Sequence, residues 1–359
     1  MGNAILAIRY SLFAISYSLL ALLVLPLAAQ ETGDTLSFVV MGYNVENLFD
    51  ARHDSLKNDY EFLPEAVRRW NYSRYRRKLD DIARVIVSAG DASEPPALVA
   101  LCEVENDSVM LDLTRRSTLR RVGYRYLMTA SDDERGIDVA LLYRPRLFRP
   151  VDVQRISVGL LSNGRRTRDL LHVAGLLLNR DTLDIIVAHM PSRSGGEHAS
   201  EPLRLYVAGR IRHVADSLMN LRQRPQLIIM GDMNDYPYNK SIREVLHAVE
   251  PPDGVGAVRA RSLYHLLARK AASDRGYGSY KYNGEWGLLD HIIVNGQLLL
   301  PDAPLRTSEA DAEVFRRDFL LEDDLQYGGR KPRRTYFGRK YIGGYSDHLP
   351  VRARFRLTY

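Results

Sequence analysis

The sequence has a single cysteine in 359 residues, Cys102, set inside the apolar run "ALVALCE". No disulfide framework can form, and no cysteine stands at the end of the N-terminal apolar segment to accept a lipid. Stability must come from a large core, for which 45% hydrophobic residues is ample. Charge is almost absent from the first thirty residues, where Arg9 is followed by an uncharged run from Tyr10 to Gln30. Residues 1–30 read as a secretory signal with a small-residue exit near Ala28-Ala29-Gln30. An uncleaved anchor is the competing reading, since about 20 apolar residues span a bilayer, but Pro26 and the small residues after it favour removal. The predicted location is secreted or periplasmic, with membrane association expected only if the segment is uncleaved. Repeats and low-complexity linkers are also missing, so residues 31–359 are predicted to form a single domain. No strong charge of one sign is present: the chain carries +6, and +5 without Arg9, which is compatible with a polyanionic partner without demanding one. No obligate protein partner is evident.

What the sequence does contain is a series of short apolar runs: "LSFVVMGYN", "ALVALCE", "IDVALLY", "LDIIVAH", "QLIIMGD", "LLDHIIVN" and "VRARFRLTY". The first, third and last show partial alternation and predict strands with one buried face; the continuous middle ones predict strands buried on both. Leu79, Ile82, Ala83, Ile86 and Val87 fall on one helical stripe that stops at Gly90, and Val207, Ile211, Val214 and Leu218 form another. Strands alternating with helices predict an α/β fold, with two sheets packed face to face under outer helices.

Polar residues keep falling at the ends of these runs. Asn44 and Glu46 follow the first, Glu103 ends the second, His189 ends "LDIIVAH", and Asp232 and Asn234 end "IIMGDMND". Near the C-terminus the order reverses, with Asp290 before "HIIV" and Asp347 and His348 before the last strand. Singly, each has a bland explanation: a strand-terminal Asp or Asn commonly starts a turn, Ser346 or Asp347 can shape one, and His189 can be a packed histidine. Together, on strands sharing one edge, they predict a rim of carboxylates, amides and imidazoles, which is a site.

The segments "GYNVENLFD", "LVALCEVEN", "VAHMPSR", "IIMGDMND", "GLLDHIIV" and "YSDHLPV" resemble the successive signatures of the endonuclease/exonuclease/phosphatase superfamily, the deoxyribonuclease-I-like metal-dependent phosphoesterases. The resemblance runs from about Leu36 to Arg356 and is specific for the superfamily, far less so for substrate. It implies a four-layered sandwich of two mixed β-sheets with helices outside. It further implies a divalent cation, Mg²⁺ or Mn²⁺ with Ca²⁺ as a further candidate, held through oxygen ligands. Glu103 is the first choice of ligand and Glu105 its rival, with Asp347, Asn44 and Glu46 completing or supporting the shell. Asp232 would orient or deprotonate the attacking water and Asn234 fix the geometry. His189 and His348 would stabilise phosphoryl oxygens and the leaving group, with Asp290 fixing the tautomer of His348. Whether Asp232 or His348 backed by Asp290 is the base stays open.

Arg135 and Asp138 in "SDDERGIDVALLYRP", and Arg193 in "PSRSGG", are weaker candidates for substrate contact. Basic clusters lie at residues 68–78, 115–121 and 330–340, the first and third interleaved with aromatics, as suits a nucleic-acid backbone with base stacking; the bland alternative is a solvated face. The predicted function is therefore a secreted, metal-dependent phosphodiesterase with nucleic acid as substrate. The alternative is hydrolysis of small or lipid phosphoesters, sphingomyelinase-like. An inositol phosphatase is disfavoured because "EWGLLDH" stands where those enzymes carry a "PAWCDR"-like segment. A non-catalytic binding module is disfavoured because the catalytic set is complete.

Overall fold

A computed structural model describes residues 34–91, 94–162 and 164–359, so the leader segment lies outside the described residues. In chain order the elements are β1 (Thr35–Leu48), α1 (Tyr72–Ser88), β2 (Leu98–Val104), α2 (Asp107–Arg115), β3 (Arg125–Met128), β4 (Asp138–Tyr143), β5 (Arg149–Ile156), β6 (Leu170–Leu176), β7 (Thr182–His189), α3 (Glu197–Leu221) and β8 (Leu227–Asp232). The short β9 (Ala248–Val249) and β10 (Leu263–His265), α4 (Ala268–Ser273), β11 (Tyr280–Tyr282) and β12 (Glu285–Gly287) come next, then β13 (Asp290–Asn295), β14 (Leu305–Arg306) and β15 (Ala312–Val314). Two small strand pairs close the fold, β16 (Leu321–Asp323) with β17 (Arg330–Pro332) and β18 (Tyr336–Phe337) with β19 (Lys340–Tyr341), before β20 (Val351–Thr358).

Two seven-stranded mixed sheets result. One runs β14-β20-β1-β2-β4-β3, with β15 also on β20; the other runs β5-β6-β7-β8-β13-β10-β9. Their faces meet, with β1, β2 and β4 packed on β6, β7, β8 and β13. The topology explains the reversed order of polar residues. Strands β1 and β2 are parallel and joined through α1, as are β7 and β8 through α3, the crossover that parallel pairing requires. Strands β20 and β13 run antiparallel to β1 and β8, so their beginnings lie where the others end.

The apolar runs match this layering. In β7, Ile185 and Val187 join the core between the sheets while Ile186 and Ala188 pack with Val207, Ile211 and Leu218 of α3. In β8, Ile228 and Met230 face one way and Ile229 the other. Burying each such side chain contributes roughly 1.5–3 kcal/mol. Strand β20 alternates, its buried Val351, Ala353, Phe355 and Leu357 separated by arginines; Arg354 and Arg356 pair with Asp91 and Asp311. Two expectations differ. Strands β1, from Phe38 to Glu46, and β4, along its whole length, are buried on both faces rather than one, because each is interior to its sheet. Val87 points outward from α1, whose inward stripe continues through Tyr75 and Lys78 instead. Strands β3, β5 and β6 were not legible. Strand β6 is hidden by His172, buried against Asp184, which also binds Arg222.

The second sheet also buries a histidine pair. His265 and His291 meet edge to face with ring centroids 4.4 Å apart. His265 Nδ1 accepts from the Leu267 N–H, which requires a neutral ring, and His291 Nε2 donates to the Leu288 carbonyl. Burial pulls the His291 pKa down to about 4 and that of His265 well below its ordinary value. A depressed histidine pKa stabilises the fold above the unfolded value and loses that stability as pH falls. The His291 contribution should therefore fade between about pH 6.5 and 4, by on the order of 3 kcal/mol. Melting temperatures of wild type and His291→Gln across that window check this: the variant should show a flatter acid limb, and parallel limbs would contradict the assignment.

Candidate active site

The rim forms where regular pairing breaks. The β1–β2 register is unbroken to Asn44 and Cys102 and resumes at Leu48 and Val104, so β1 carries two more residues than β2 across the bulge. Glu46, Asn47 and Glu103 adopt positive φ there (51°, 53° and 67°). Such backbone is uncommon outside glycine and re-aims side chains that a regular strand would alternate. The bulge separates the two rival carboxylates. Glu103 faces His189, with Oε1 3.9 Å from His189 Nε2 and Oε2 accepting from the Asn47 N–H. Glu105 turns away to accept from the Asp50 N–H.

Asp232 lies at the centre. Its Oδ2 accepts from Asn44 Nδ2 at 2.9 Å and stands 3.6 Å from His189 Nε2 and 3.9 Å from His348 Nε2; its Oδ1 accepts from the Asn234 N–H. Asn234, at φ 51°, donates its amide to the Met190 carbonyl. Asp290 lies directly across from Asp232 in the β8–β13 ladder, and its Oδ2 is 2.7 Å from His348 Nδ1. Thus Asn44, Glu103, His189, Asp232, Asn234, Asp290 and His348 are brought together, all buried or nearly so.

The electrostatics divide the two histidines. Burial pulls His189 well below its ordinary pKa, helped by Arg168, Arg135 and His348, so it is neutral at pH 7. Burial also opposes charge on His348, but Asp290 and Asp232 outweigh it and hold its pKa well above the ordinary value. Burial pushes the Asp232 carboxyl up to about 7, against the pull of His348.

The other sequence candidates have different surroundings. Glu46 is turned to cations: its Oε2 accepts from the Thr335 N–H at 2.6 Å and lies 4.0 Å from Lys78 Nζ, and its Oε1 is 3.3 Å from Arg334. Arg334 also binds Asp347 Oδ2 at 2.9 Å. Arg135 donates to Asn47 Oδ1 and lies 3.6 Å from Glu103. Asp138 is buried, accepting from the Thr129 hydroxyl and the Ser131 N–H, which ties down the loop before β4. Arg193 is engaged by Asn234 O, Asp235, Asn239 and Glu197 and stacks 4.1 Å from the Tyr236 ring centroid, so it braces the Asn234 loop.

Sequence reasoning missed several supporting groups. The Ser346 hydroxyl donates to the Asn44 carbonyl and accepts from the His348 N–H, linking the two ends of the rim; its place in "YSDHLPV" was the available signal. Tyr280 covers the His348 ring at 4.8 Å, and Ser279 Oγ accepts from the Asp290 N–H. Lys78, buried on α1, donates to Thr335 Oγ1 and the Tyr345 carbonyl and so fastens the loop that carries Arg334. Nothing local marks Tyr280, Ser279 or Lys78.

The donor set fits a hard divalent cation. Glu103 Oε1 is the open oxygen, 3.9 Å from His189 Nε2; Asn44 Oδ1 accepts from the Glu46 N–H and each Asp232 oxygen accepts one hydrogen bond, which leaves each a further lone pair, and the buried Asp290 Oδ1 and His189 Nδ1 have no hydrogen-bond partner among the described residues. Asp232, Asp290 and His348 can each bring one ligand atom within 4.8 Å of the others. Of these, His348 Nδ1 is already committed to Asp290. Glu46, already faced by the cations Lys78 and Arg334, fits least.

The model of the Endonuclease/Exonuclease/phosphatase family matches residues 39–356. No curated protein matches the sequence. Similar solved structures include an endonuclease/exonuclease/phosphatase family protein from Bacteroides thetaiotaomicron, 14% identical with a TM-score of 0.54 over 90% of this chain and 96% of that one. D. rerio TDP2 complexed with single strand DNA product is 13% identical with a TM-score of 0.52 over 89% and 98%. The human Nocturnin catalytic domain with bound sulfate anion is 15% identical with a TM-score of 0.50 over 90% and 97%. At these identities the likeness is one of fold.

Proposed function

This chain belongs to the endonuclease/exonuclease/phosphatase family and is a phosphodiester-hydrolysing enzyme, and we propose that it is an exported, Mg²⁺- or Mn²⁺-dependent nuclease. The observation that carries the reading is the convergence on Asp232: a buried carboxyl group with His189 and His348 Nε2 3.6 and 3.9 Å away, neither in hydrogen-bonding contact with it, and with burial lowering the pKa of His189 while Asp290 and Asp232 raise that of His348. The two Nε2 atoms and Asp232 Oδ2 thus converge without bonding one another, which leaves them available to a phosphate seated over the rim.

In the proposed mechanism Asp232, held by Asn44 and the Asn234 N–H, orients the attacking water and takes its proton. His348, locked through Nδ1 by Asp290, presents a positively charged Nε2–H to a phosphoryl oxygen, and neutral His189 donates a second hydrogen bond there. Glu103 and Asn44 would hold the divalent ion, with Asp347 in support; the ion supplies neutralisation of phosphate charge. Polymeric substrate is supported by a cavity of about 430 Å³ beside the rim, open enough for a neighbouring nucleotide and lined by Arg135, Arg165, Arg166 and Arg168 with Asp133 and Glu134, Arg166 and Arg168 being paired with Asp132 and Asp133. A structural neighbour, D. rerio TDP2, is complexed with single strand DNA product, which favours the same substrate class. Export is supported by the leader-like residues 1–30.

The test is release of acid-soluble product from plasmid, single-stranded DNA and RNA with Mg²⁺, Mn²⁺ or chelator. Cleavage of at least one polymer that chelator abolishes is expected; activity indifferent to chelator, or none on any polymer, would overturn the reading. Glu103→Gln, which exchanges an anionic ligand for a neutral one, should raise the metal concentration for half-maximal rate by ~10-fold or more. An unchanged metal midpoint would remove Glu103 from the ion's shell.

A further inference from the structure

Three small hairpins, β11/β12, β16/β17 and β18/β19, stand beside the catalytic rim and belong to neither large sheet. Between them lies a cavity of about 280 Å³ whose wall includes Tyr280, Tyr282, Tyr327, Phe337, Arg334 and Asp347. It opens onto the site already described, because Tyr280 covers the His348 ring at 4.8 Å and Asp347 directly precedes His348.

The rings are held out rather than folded in. Tyr282, Tyr327 and Phe337 are 65%, 49% and 55% exposed, an unusual concentration of open aromatic surface in one place. Their positions are built. Asn283-Gly284 makes the tight turn between β11 and β12, with φ of 49° and 89°. A Cβ on Gly284 would lie 2.9 Å from Tyr327 Cβ, so glycine lets the second hairpin approach. Tyr327 is then fixed by its hydroxyl to Asn283 Oδ1 and by its N–H to Asp324.

The polar lining decides what fits. Lys281 is paired with Asp324 at 2.9 Å, Arg334 with Asp347, and Lys331 lies 3.8 Å from Asp324 and 5.1 Å from the Phe337 ring centroid. The charges offset one another, so no free cation awaits a phosphate. A quaternary ammonium headgroup, which an aromatic cage would attract, finds both wall carboxylates already taken by Lys281, Lys331 and Arg334 and so has no counter-ion there. A flat, neutral ring covalently tied to a phosphate meets both conditions, with the Asn283 and Gln326 amides at hand for its edge.

We propose that this cavity is a nucleobase subsite that stacks the base flanking the scissile phosphodiester against Tyr327, Tyr282 and Phe337. It deepens the nuclease reading and rests on it. It also assigns a role to Phe337 of the basic stretch 330–340, whose Arg330, Lys331 and Arg334 are spent on ion pairs within the protein.

The test uses the full chain with Mg²⁺ and Mn²⁺ and four chromogenic esters: thymidine 5′- and 3′-(p-nitrophenyl phosphate), methyl p-nitrophenyl phosphate and p-nitrophenyl phosphorylcholine. In Tyr327→Ala and Tyr282→Ala, the ratio of kcat/KM for one thymidine ester to that for the methyl ester should fall by ~10-fold, mainly through KM. The affected isomer gives the polarity of the bound strand. A ratio unchanged within about twofold for both isomers in both variants overturns the subsite, as does a loss confined to the choline ester. If wild type hydrolyses none of the four, the hydrolase reading of the site fails separately. The base is then tested by calorimetric titration of thymidine 5′-monophosphate against inorganic phosphate: loss of the thymidine preference in Tyr327→Ala supports the subsite, and no preference in wild type overturns it.

Discussion

Asp232→Asn should lower kcat by ~10³-fold or more while leaving the melting temperature close to that of wild type. Asparagine keeps the shape of the side chain and can still accept from one of the two donors that Asp232 serves, Asn44 Nδ2 and the Asn234 N–H. What it loses is the anion and the ability to take a proton. The pH profile provides an independent reading. Burial raises the Asp232 carboxyl to about 7 against the pull of His348, so the carboxylate form is depleted as pH falls below that value. Wild-type kcat/KM should then decline by about tenfold per pH unit on the acid side, and the residual rate of Asp232→Asn should lack that limb. The two groups titrate as a pair, and the limb reports the pair rather than either alone. Steady-state rates from pH 5.5 to 8.5 with thermal melts decide the matter, and a variant within tenfold of wild-type kcat would exclude Asp232 as the base.

Gly231→Ala should have the largest effect on folding. Gly231 sits at φ 137°, a conformation that L side chains rarely adopt, and pairs with Ala188 in the parallel β7–β8 ladder. A Cβ at this position would lie 2.0 Å from the Ala188 carbonyl oxygen and 3.0 Å from its carbon, both of them backbone atoms in the middle of a sheet. Strained φ alone costs on the order of 1–3 kcal/mol, and relieving the clash means parting the ladder at the residue before His189 and Asp232. Against a total stability of about 5–15 kcal/mol, little soluble folded protein is expected. Gly256→Ala is the control, since a Cβ there meets nothing within 4 Å. Soluble yield and urea midpoints of the two variants check the contrast; a Gly231→Ala midpoint equal to wild type would show that the ladder yields freely.

The strand-end glycine and carboxylate of "IIMGDMND" thus answer to different constraints. Gly231 meets a backbone requirement of the sheet, and Asp232 faces the rim.

The paired sheets and most of their long strands were legible because burial on two faces writes a continuous apolar run, as in β7 and β8, and burial on one writes alternation, as in β20. Strand β6 was not, because its His172 is satisfied by Asp184, which lies twelve residues away in sequence on the neighbouring strand. The polar rim was legible for the same reason as the strands: a carboxylate or imidazole that ends an apolar run sits at a sheet edge whatever the topology.

By itself the sequence determined which chemistry collects at that edge, because strand termini and their residue types are local properties. Only the tertiary structure decided how each group is used. Whether Glu103 or Glu105 faces His189 depends on a bulge and a φ of 67°, because two residues apart on a regular strand the pair would share a face. Whether Glu46 is free to bind a cation depends on Lys78 and Arg334, 32 and 288 residues away in sequence, because a buried carboxylate is neutralised by whatever cation the fold brings to it. The aromatic cavity beside His348 exists only because three separate hairpins meet there, and no segment of the chain contains enough of it to be recognised alone.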